Sequence, residues 1–414
     1  MAGRFDVIIV GAGPSGTVCA TVCARRGMRV LVIERERFPR DKVCGDCLNP
    51  SAWEVLGRLG IDERIRSLPH APLKKLQIVT LNQRVFEFPL HAGATAEIGL
   101  RRRDLDLALM QTARAAGAAF LENTAVTSIE GEWRIEAGGK QFSCKTLVAA
   151  DGRNSSVARL LGLLPPQQKD RVGIQAHFPL ARENRNSVRM QLHPEGYSGG
   201  ASIGEDLWNL CLVARGTQID SLKARASRLW NLPSDVRWRS LTPLSRAPLA
   251  PAQGSLLLVG DAARVVEPFT GEGIYYALAS GELAGQHLSE PAVYGRKHRE
   301  LYRGRLWVNQ LARAAVLHPA TTSWLLENLP AEQLLRHLTT KVTSGPPGEP
   351  CADNRTAKKP PMMPPTKPPT KPPSGRALPR VYQPVSPSVR RSFYDDPHHD
   401  EAPTFPPQSD VRKP

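Results

Sequence analysis

The chain has 414 residues, enough for two packed domains or one two-lobed fold. Lys and Arg number 55 against 39 Asp and Glu, so the net charge is +16; we assign this charge to a basic surface and tail, because no nucleic-acid-binding motif is present. Seven cysteines, an odd number, argue against a disulfide scaffold and favour a reducing compartment. No apolar run reaches the roughly 18 residues of a membrane span, and the first residues do not resemble a secretory leader, so we expect a cytoplasmic protein.

The first stretch with a clear pattern is a βαβ unit. Apolar runs at residues 7–10 and 30–33 predict two buried strands, and between them three glycines have the spacing GxGxxG: Gly11, Gly13 and Gly16. Gly11 permits a tight turn out of the first strand. Gly13 lets the backbone approach a pyrophosphate, and Gly16 lets the helix pack closely on the sheet.

The helix start and the end of the second strand both predict a dinucleotide. Pro14 and Ser15 lie in the first helical turn, whose free N–H groups bind a diphosphate. Glu34, followed by Arg35, lies 18 residues beyond Gly16, where a carboxylate can accept bonds from both hydroxyls of an adenosine ribose. An acid here favours an unphosphorylated ribose, so this unit alone indicates FAD or NAD rather than NADP.

The middle of the chain alternates helical and strand patterns. Periodicity predicts helices at residues 51–59, 105–116 and 222–229, and buried strands at 147–150 and 255–259. Short strands are expected at 76–81 and 84–88, and four more, at 171–180, 187–193, 200–203 and 207–214, read as an antiparallel sheet. Helices are expected again at residues 274–288, 301–317 and 323–338.

The composition changes after residue 342. Residues 343–414 hold 19 prolines in 72 positions and repeat a Thr-Lys-Pro-Pro unit. Such a segment cannot bury a core, so we predict a disordered, basic, Pro-rich tail that acts as a spacer or tether, with a PxxP ligand as the alternative.

Three further motifs lie where predicted strands end, which is where open α/β sheets bind ligands. Arg102 precedes an amphipathic helix and can clamp a phosphate. Asp151 and Gly152 follow a buried strand. The third motif begins at Asp261, after the last buried strand, and continues in a glycine turn with four candidate contacts: Pro268, Gly271, Gly273 and Ile274.

These motifs, in this order, resemble the FAD-dependent monooxygenase superfamily typified by p-hydroxybenzoate hydroxylase. Residues 38–45 (FPRDKVCG) and the stretches 260–263 (GDAA) and 270–277 (TGEGIYYA) are most similar to the branch that holds geranylgeranyl reductases and flavin-dependent halogenases. The resemblance covers residues 4 to about 290.

The resemblance implies a role for each motif. The glycines of residues 11–16 would hold the FAD pyrophosphate and Glu34 the adenosine ribose. Arg102 would reach the phosphate and ribityl region, Asp151 and Gly152 would lie near the pyrophosphate, and Asp261 would bind a ribityl hydroxyl. The helix start at residues 271–274 would donate N–H groups to the pyrimidine end of the flavin, where the reduced ring carries negative charge.

The chain also departs from its branch. The stretch 196–203 lacks the two tryptophans of the halogenase motif WxWxIP and no equivalent of the halogenase lysine is evident, which disfavours halogenation. Tyr197 and Gly199 in this stretch are candidate substrate contacts. The archaeal reductases' aromatic substrate motif is also missing, so the resemblance alone does not imply a polyprenyl substrate.

The pair Cys44 and Cys47 forms a single CxxC. A structural zinc needs a second pair, so no metal site is predicted. A redox dithiol beside the flavin is one alternative, but we favour a loop that passes over the flavin, with Cys44 and Gly45 as candidate catalytic residues.

The predicted fold class is α/β, two-lobed: a Rossmann-like FAD-binding domain with an interleaved antiparallel-sheet substrate domain and C-terminal helices. Residues 1–75, 100–165 and 245–290 form the first domain, and 76–99 with 166–244 the second. Residues 291–342 form the helical region.

The predicted function is that of an FAD-dependent oxidoreductase. The main hypothesis is a monooxygenase that hydroxylates a small aromatic, polyketide or isoprenoid-like substrate, and the alternative is a geranylgeranyl reductase-like C=C reductase. A flavin-binding scaffold without catalysis is a hypothesis of another class. No second GxGxxG is present, so electrons would come from transiently bound NAD(P)H or from an electron-donor partner. Residues 301–338 are apolar enough for a peripheral membrane contact as an alternative to a packed helix pair.

Overall fold

The computed structural model describes residues 3–165, 171–181, 184–204 and 206–330, together with residues 333 and 335. Its contacts divide the chain into a unit Met1–Cys351 and a unit Ala352–Pro414. The predicted tail, residues 343–414, lies outside the described residues, as do residues 331, 332, 334 and 336–338 of the last predicted helix.

The described residues hold strands and helices throughout the first unit. In chain order the strands are β1 (Gly3–Val10), β2 (Val30–Ile33), β3 (Cys47–Leu48), β4 (Ala71–Pro72), β5 (Lys75–Val79), β6 (Val85–Pro89), β7 (Ile98–Gly99), β8 (Ala119–Leu121), β9 (Val126–Glu130), β10 (Arg134–Ala137), β11 (Lys140–Ala149), β12 (Val172–Pro179), β13 (Ser187–His193), β14 (Gly196–Ile203), β15 (Leu207–Ala214), β16 (Arg239–Leu241), β17 (Ala252–Gln253) and β18 (Leu256–Leu258). The helices are α1 (Pro14–Arg25), α2 (Ala52–Arg58), α3 (Asp62–Arg66), α4 (Arg102–Ala115), α5 (Ser156–Leu160), α6 (Ile219–Leu229), α7 (Gly273–Gln286), α8 (Pro291–Leu301), α9 (Leu306–Leu317) and α10 (Pro319–Asn328).

The first sheet has a parallel centre. Its strand order is β17-β18-β11-β1-β2-β8, and β18, β11, β1, β2 and β8 pair in parallel. The inner strands are buried on both faces, which is why they read as continuous apolar runs such as VIIV and VLVI. The carboxyl ends of β1, β2, β11 and β18 therefore meet at one edge, where the sequence places its motifs.

Helices α1 and α7 pack on each other beside this sheet through small residues. A Cβ on Gly281 would lie 2.2 Å from the main-chain oxygen of Ser15, and one on Gly285 would lie 2.6 Å from Cβ of Val22. Glycine is therefore required at both positions, and the contact holds the N-terminal ends of the two helices near the same sheet edge.

The second sheet has the order β16-β12-β15-β14-β13-β5-β6. Its pairs are antiparallel except β13–β5, which is parallel. The parallel pair departs from the antiparallel sheet expected, because β5 reaches β13 from about a hundred residues earlier in the chain and no hairpin sets its direction. One face packs on α6 around Trp208 and Leu222, and the other face is free to line a cavity.

The C-terminal helices differ from their predicted bounds. The segment predicted as one helix over residues 301–317 contains only the last residue of α8, then a turn in which Gly304 has φ 77°, and then α9. Helix α10 begins at Pro319, because proline suits the first turn of a helix but not its interior. Among the described residues, no helix combines the length and apolar character needed to cross a bilayer.

Candidate functional site

The glycine loop after β1 is shaped by two packing glycines and one open glycine. Gly11 has φ 103°, and a Cβ there would lie 2.5 Å from the main-chain oxygen of Ala150. A Cβ on Gly16 would lie 1.9 Å from the main-chain oxygen of Gly11, so this glycine lets α1 pack on β1. Gly13, the N-cap of α1, faces open space, and the nearest atom to its missing Cβ is Arg40 Nη2 at 3.9 Å. The exposed N–H groups and this guanidinium suit an anion.

Glu34 ends β2 at the same edge. Its Oε2 accepts a hydrogen bond from the N–H of Ala12 at 2.7 Å, and its Oε1 accepts one from the N–H of Glu36 at 3.1 Å. The side chain is buried, so these bonds hold it in one orientation. Because each carboxylate oxygen can accept a second bond, both remain able to bind ribose hydroxyls.

A buried carboxylate, Asp106 on α4, organises two arginines. Arg102 donates from Nε and Nη2 to the two oxygens of Asp106, both at 2.9 Å, and Arg40 donates from Nη1 to Oδ2 at 3.1 Å. Arg40 Nη2 also lies 3.5 Å from Glu34 Oε2. Burial alone would lower the pKa of Arg102, but the carboxylate of Asp106 raises that pKa overall and keeps the guanidinium charged.

Arg40 is a site residue that the sequence analysis missed. Arg40 belongs to the stretch FPRDKVCG that carries the family resemblance. Its place directly after Pro39 in this stretch could have marked it as a site residue. Lys42 in the same stretch also reaches the cavity. Burial, together with the charges of Arg102 and Arg40, lowers the pKa of Lys42 to about 8. The crowding of cations shows that this end of the cavity is built for a negatively charged ligand.

Two motifs follow β11 and β18. Asp151 Oδ2 accepts hydrogen bonds from the Ser156 hydroxyl at 2.7 Å and the N–H of Val157 at 3.0 Å, while its buried Oδ1 has no hydrogen-bond partner among the described residues. Asp261 accepts a bond from Arg153 Nη2 at 3.0 Å. An unsatisfied buried oxygen beside a cavity is a position where a ligand donor fits.

The segment Pro268–Thr270 and the start of α7 are held by two buried ion pairs. Arg171 donates to both oxygens of Glu267, at 3.1 and 2.7 Å, and the Tyr197 hydroxyl donates to Glu267 Oε1 at 3.3 Å. On the other side, Arg305 Nη1 donates to Glu272 Oε1 at 2.6 Å. Because the ion pairs at Glu267 and Glu272 hold this segment at both ends, the free N–H groups at the start of α7 keep one direction.

The loop of residues 44–47 is fixed by the second sheet. The main-chain oxygen of Cys44 accepts bonds from Gln175 Nε2 at 2.7 Å, Asn209 Nδ2 at 2.9 Å and the Cys211 thiol at 3.2 Å. These three residues share the cavity-side face of β12 and β15. The loop therefore presents the Cys44 side chain and the bare Cα of Gly45 to the cavity.

Asp46 of this loop, which is buried, and His177, which is partly exposed, form a pair that the sequence did not reveal. His177 Nε2 lies 2.9 Å from Asp46 Oδ2, and Asp46 Oδ1 accepts a bond from the N–H of Arg102 at 3.2 Å. Burial raises the pKa of Asp46, and the bond from His177 opposes this rise. The pair joins β12, the loop and the start of α4, so its role is to hold these elements together.

The cysteines of the site are thiols. Burial raises the pKa of Cys44 and raises that of Cys47 further, so both are protonated at neutral pH. Each cysteine in the described residues is free, and these residues contain no cluster of three or more His, Cys, Asp or Glu side chains suited to a metal.

One cavity of about 1140 Å³ joins these parts. Among the predicted site residues, Gly16 is absent from its wall, and the following are present: Gly11, Gly13, Pro14, Ser15, Glu34, Arg35, Cys44, Gly45, Arg102, Asp151, Gly152, Tyr197, Gly199, Asp261, Pro268, Gly271, Gly273 and Ile274. Beyond the loop of residues 44–47, the wall becomes aliphatic, with Ile78, Met190 and Leu192 on the second sheet and Leu325 and Leu329 at α10.

The aliphatic end of the cavity opens at an apolar surface. Six of the nine exposed large apolar side chains in the described residues lie on α9, on α10 or directly after them: Leu306, Trp307, Leu311, Trp324, Leu325 and Leu329. Leu311, Leu325 and Leu329 also belong to the cavity wall. The cavity thus has a charged end that fits FAD, given the open Gly13, the cations and the unpaired Asp151 oxygen, and an apolar end next to solvent.

Comparisons with known proteins find a matching domain family and several relatives. Residues 4–193 match the family model described as an FAD binding domain. The chain is 30% identical to a menaquinone reductase of Mycolicibacterium smegmatis over 70% of this chain and 78% of the relative. It is 28% identical to digeranylgeranylglycerophospholipid reductase 1 of Methanopyrus kandleri over 68% of this chain and 80% of that one.

Solved structures show the same fold. The flavin-dependent brominase Bmp2 superposes with a TM-score of 0.66 at 20% identity, over 81% of this chain and 93% of that one. A geranylgeranyl bacteriochlorophyll reductase-like protein of Thermoplasma acidophilum superposes with a TM-score of 0.63 at 21% identity, over 82% and 92%. The chain thus belongs to the geranylgeranyl reductase-like family of FAD-dependent oxidoreductases, and it shares its fold with a flavin-dependent brominase.

Proposed function

We propose that the chain is a C=C reductase that saturates a double bond in the isoprenoid chain of a lipid. The observation that carries this proposal is the aliphatic end of the cavity, which runs between the second sheet and the helices α9 and α10 and opens at an apolar surface. A long hydrocarbon chain fits such a wall, whereas a small hydroxylated aromatic compound would meet few polar partners there. Two relatives named as reductases of menaquinone and of a digeranylgeranyl lipid support the same substrate class.

The charged end of the cavity would hold FAD, which when reduced supplies a hydride. In this proposal the residues of the glycine loop and the start of α1 bind the pyrophosphate and Glu34 binds the ribose. The remaining contacts come from the other motifs of the cavity wall: Arg35, Arg102, Asp151, Gly152, Asp261, Pro268, Gly271, Gly273 and Ile274. Arg40, between Glu34 and Asp106, joins them as a phosphate-side contact.

Cys44 and Gly45 would separate the cofactor from the apolar end. A Cβ added to Gly45 would have no atom within 4 Å, so the backbone leaves open space on that side. The Cys44 thiol, held neutral by burial, offers a polarisable surface without charge. In this role both residues shape the place where a double bond meets the cofactor.

Tyr197 and Gly199 would contact the hydrocarbon chain. The Tyr197 hydroxyl donates a hydrogen bond to Glu267, so the ring of Tyr197 is the part that would contact a ligand in the cavity. Met190 Sδ lies 3.1 Å from the missing Cβ of Gly199, and a larger residue there would displace Met190 into the path of the substrate.

A lipid substrate would reach the cavity from a membrane surface. The exposed leucines and tryptophans of α9 and α10 form an apolar face at the cavity mouth, and Arg303 and Arg313 lie on the same part of the chain. Apolar side chains beside cations suit the headgroup region of an anionic bilayer. We therefore propose a cytoplasmic protein that binds the membrane peripherally. Electrons would come from NAD(P)H or from a partner, since the sequence has no second GxGxxG.

Product analysis with and without oxygen tests the proposed reaction. The purified protein with reduced FAD is mixed with menaquinone or digeranylgeranylglycerophospholipid, and the lipid is examined by mass spectrometry. The proposal expects a lipid that has gained two hydrogens, formed equally well without oxygen. Hydroxylated product that requires oxygen would instead show that the chain is a monooxygenase.

A further inference from the structure

Glu97 is a carboxyl group on the cavity wall that no cofactor motif includes. It directly precedes β7, whose Gly99 pairs with Cys47 of β3. The main-chain oxygen of Glu97 accepts a bond from the N–H of Leu73 at 3.0 Å, and Gly99 is pressed so closely on β14 that its Cβ would lie 1.8 Å from the oxygen of Ser202. The backbone is thus fixed on both sides, and the side chain faces the cavity beside Cys47 and Asn49.

The Glu97 carboxyl differs from the other carboxyls of this wall in having no partner. Every other carboxylate that lines the cavity in the described part of the chain makes a hydrogen bond or an ion pair: Glu34, Glu36, Asp41, Asp151 and Asp261. No hydrogen bond or ion pair joins the Glu97 side chain to a described residue. A carboxyl left unpaired in an apolar cavity is a candidate for proton transfer.

Glu97 is partly accessible from the cavity, and its surroundings let a large fraction of the carboxyl carry a proton at neutral pH. Burial raises its pKa to about 7, and no nearby cation opposes this rise. The titratable neighbour is the Cys47 thiol on β3, which is itself neutral, with Asp46 behind it. Arg66 on α3 binds the main-chain oxygen of Ala94 and packs over Trp53, and Lys74 before β5 is exposed, so neither cation pairs with Glu97.

We propose that Glu97 is the proton donor for the reduction of the double bond, an inference that rests on the proposed function. One carbon of the C=C bond gains a hydride, with reduced FAD as the two-electron donor, and the other carbon gains the proton of the Glu97 carboxyl. Two C–H bonds form while the π bond, the O–H bond of Glu97 and the bond that held the hydride in reduced FAD break, and the cofactor is left oxidised. The resulting carboxylate takes a proton back from water before the next cycle.

Other acids in the cavity fit this role less well. The Tyr197 hydroxyl is bound to Glu267, and burial raises its pKa well above the ordinary value. Lys42 lies among arginines at the charged end. His177 is paired with Asp46 beneath the loop and is not part of the cavity wall. The thiols of Cys44 and Cys47 also line the cavity, but burial raises their pKa above the ordinary value, so they are weaker acids than Glu97. His318 follows α9, at the last helices, whereas Glu97 lies next to β7, which pairs with Cys47 of the loop.

Substitution tests the role in two independent ways. The variants are Glu97→Gln, Glu97→Asp and the control Glu87→Gln, an exposed position on β6. In the FAD-free protein, infrared spectroscopy should show a protonated carboxyl that titrates near pH 7 in the wild type and in the control, and this band should be missing in Glu97→Gln. Retention of FAD by each variant checks that the fold is kept.

Anaerobic single turnover supplies the second test. Reduction of the bound flavin should be unchanged in all variants. Its reoxidation by the lipid should slow by about 100-fold or more in Glu97→Gln, recover in part in Glu97→Asp and match the wild type in Glu87→Gln. The wild-type rate should fall as the pH rises through about 7, because the carboxyl loses its proton, whereas the Glu97→Gln rate should not depend on pH there.

The outcomes separate this inference from the proposed function. A wild type that saturates the lipid while Glu97→Gln does so at the same rate overturns the role of Glu97 alone. A missing infrared band in the wild type also overturns it, since the carboxyl would then be ionised. A wild type that reduces no lipid overturns the proposed function itself.

Discussion

At the scale of single residues, the charged end of the cavity depends on a balance of buried ions. Asp106 is fully buried and shared by Arg102 and Arg40, and Arg40 also reaches Glu34. The Asp106 carboxylate balances part of the positive charge of the two arginines. The remaining positive charge, on Arg40, lies near Gly13. In the proposed FAD site, Arg40 would therefore link the ribose contact at Glu34 with the phosphate contacts at Gly13.

Replacement of Arg40 tests this link. Arg40→Gln should weaken FAD binding by about 10- to 100-fold, because a charge-assisted hydrogen bond contributes about 1.5–3 kcal/mol. Titration of the FAD-free protein with FAD, followed by flavin fluorescence, measures the change. Arg29→Gln, at an exposed arginine that pairs with Asp6, is the matched control and should bind as the wild type does. Unchanged affinity in Arg40→Gln would contradict the assigned contact.

A second residue-scale prediction concerns His298 on α8. Burial lowers its pKa from 6.5 to about 4, and its Nε2 has no hydrogen-bond partner among the described residues. The unfolded chain therefore binds a proton at a higher pH than the folded one does. The free energy of unfolding should fall as the pH drops from about 6.5 towards about 4, with at most about 3 kcal/mol from this residue.

Urea unfolding at a series of pH values checks the His298 prediction. His298→Phe keeps a ring between Tyr294 and Tyr302 and should remove part of the pH dependence. An equally steep loss of stability in this variant would show that other groups cause it. His193, whose pKa burial also lowers to about 4, would then be the next group to replace.

At the scale of elements, the contact between α1 and α7 positions both helix starts. Gly281 and Gly285 allow the two backbones to touch, so one interface positions the N-terminal ends of both α1 and α7. The ion pairs at Glu267 and Glu272 fix the segment that leads into α7. These contacts connect the segment to β12, β14 and α9 without any ligand.

Gly281→Ala should disturb this interface. A Cβ 2.2 Å from the Ser15 oxygen must push the helices apart, which should cost about 1–3 kcal/mol of stability and weaken FAD binding. Gly57→Ala in α2 is the matched control, because nothing lies within 4 Å of its Cβ; it should be neutral or stabilise by up to about 1 kcal/mol. Thermal unfolding and FAD titration measure both effects. Equal stability of the two variants would contradict the close contact.

Local sequence patterns predicted those parts of the fold and site that are built from residues close together in the chain. The unit from β1 to Glu34 could be read because one short stretch holds the strands, the glycines and the acid. The pairs Asp46–His177 and Arg40–Asp106 could not, because their members lie 131 and 66 residues apart and the fold alone brings them together. The parallel direction of β5 was missed for the same reason, since a long connection leaves strand direction undetermined.

At the scale of the whole molecule, the cavity joins a charged end to an apolar surface. The cofactor motifs lie at the carboxyl edge of the first sheet, and the aliphatic wall is built from the second sheet and the last helices. Exposed leucines and tryptophans lie where this wall ends. The arrangement would allow a lipid chain to enter from a membrane while its end meets the cofactor.

Liposome flotation tests the membrane contact. The full chain should float with vesicles that contain anionic lipid, and the double variant Trp307→Ala with Trp324→Ala should remain in solution, because buried tryptophans carry much of such binding. Leu229→Ala, at an exposed leucine on α6, is the control and should float as the wild type does. Flotation of the double variant at the wild-type level would show that this face does not bind lipid.

The most direct test of the central claim is the stoichiometry of a single turnover without oxygen. The bound flavin is reduced, the polyprenyl lipid is added, and flavin reoxidation is followed together with the mass of the lipid. We predict one saturated double bond for each flavin reoxidised. Flavin that stays reduced until oxygen is admitted, with the lipid unchanged in its absence, would contradict C=C reduction.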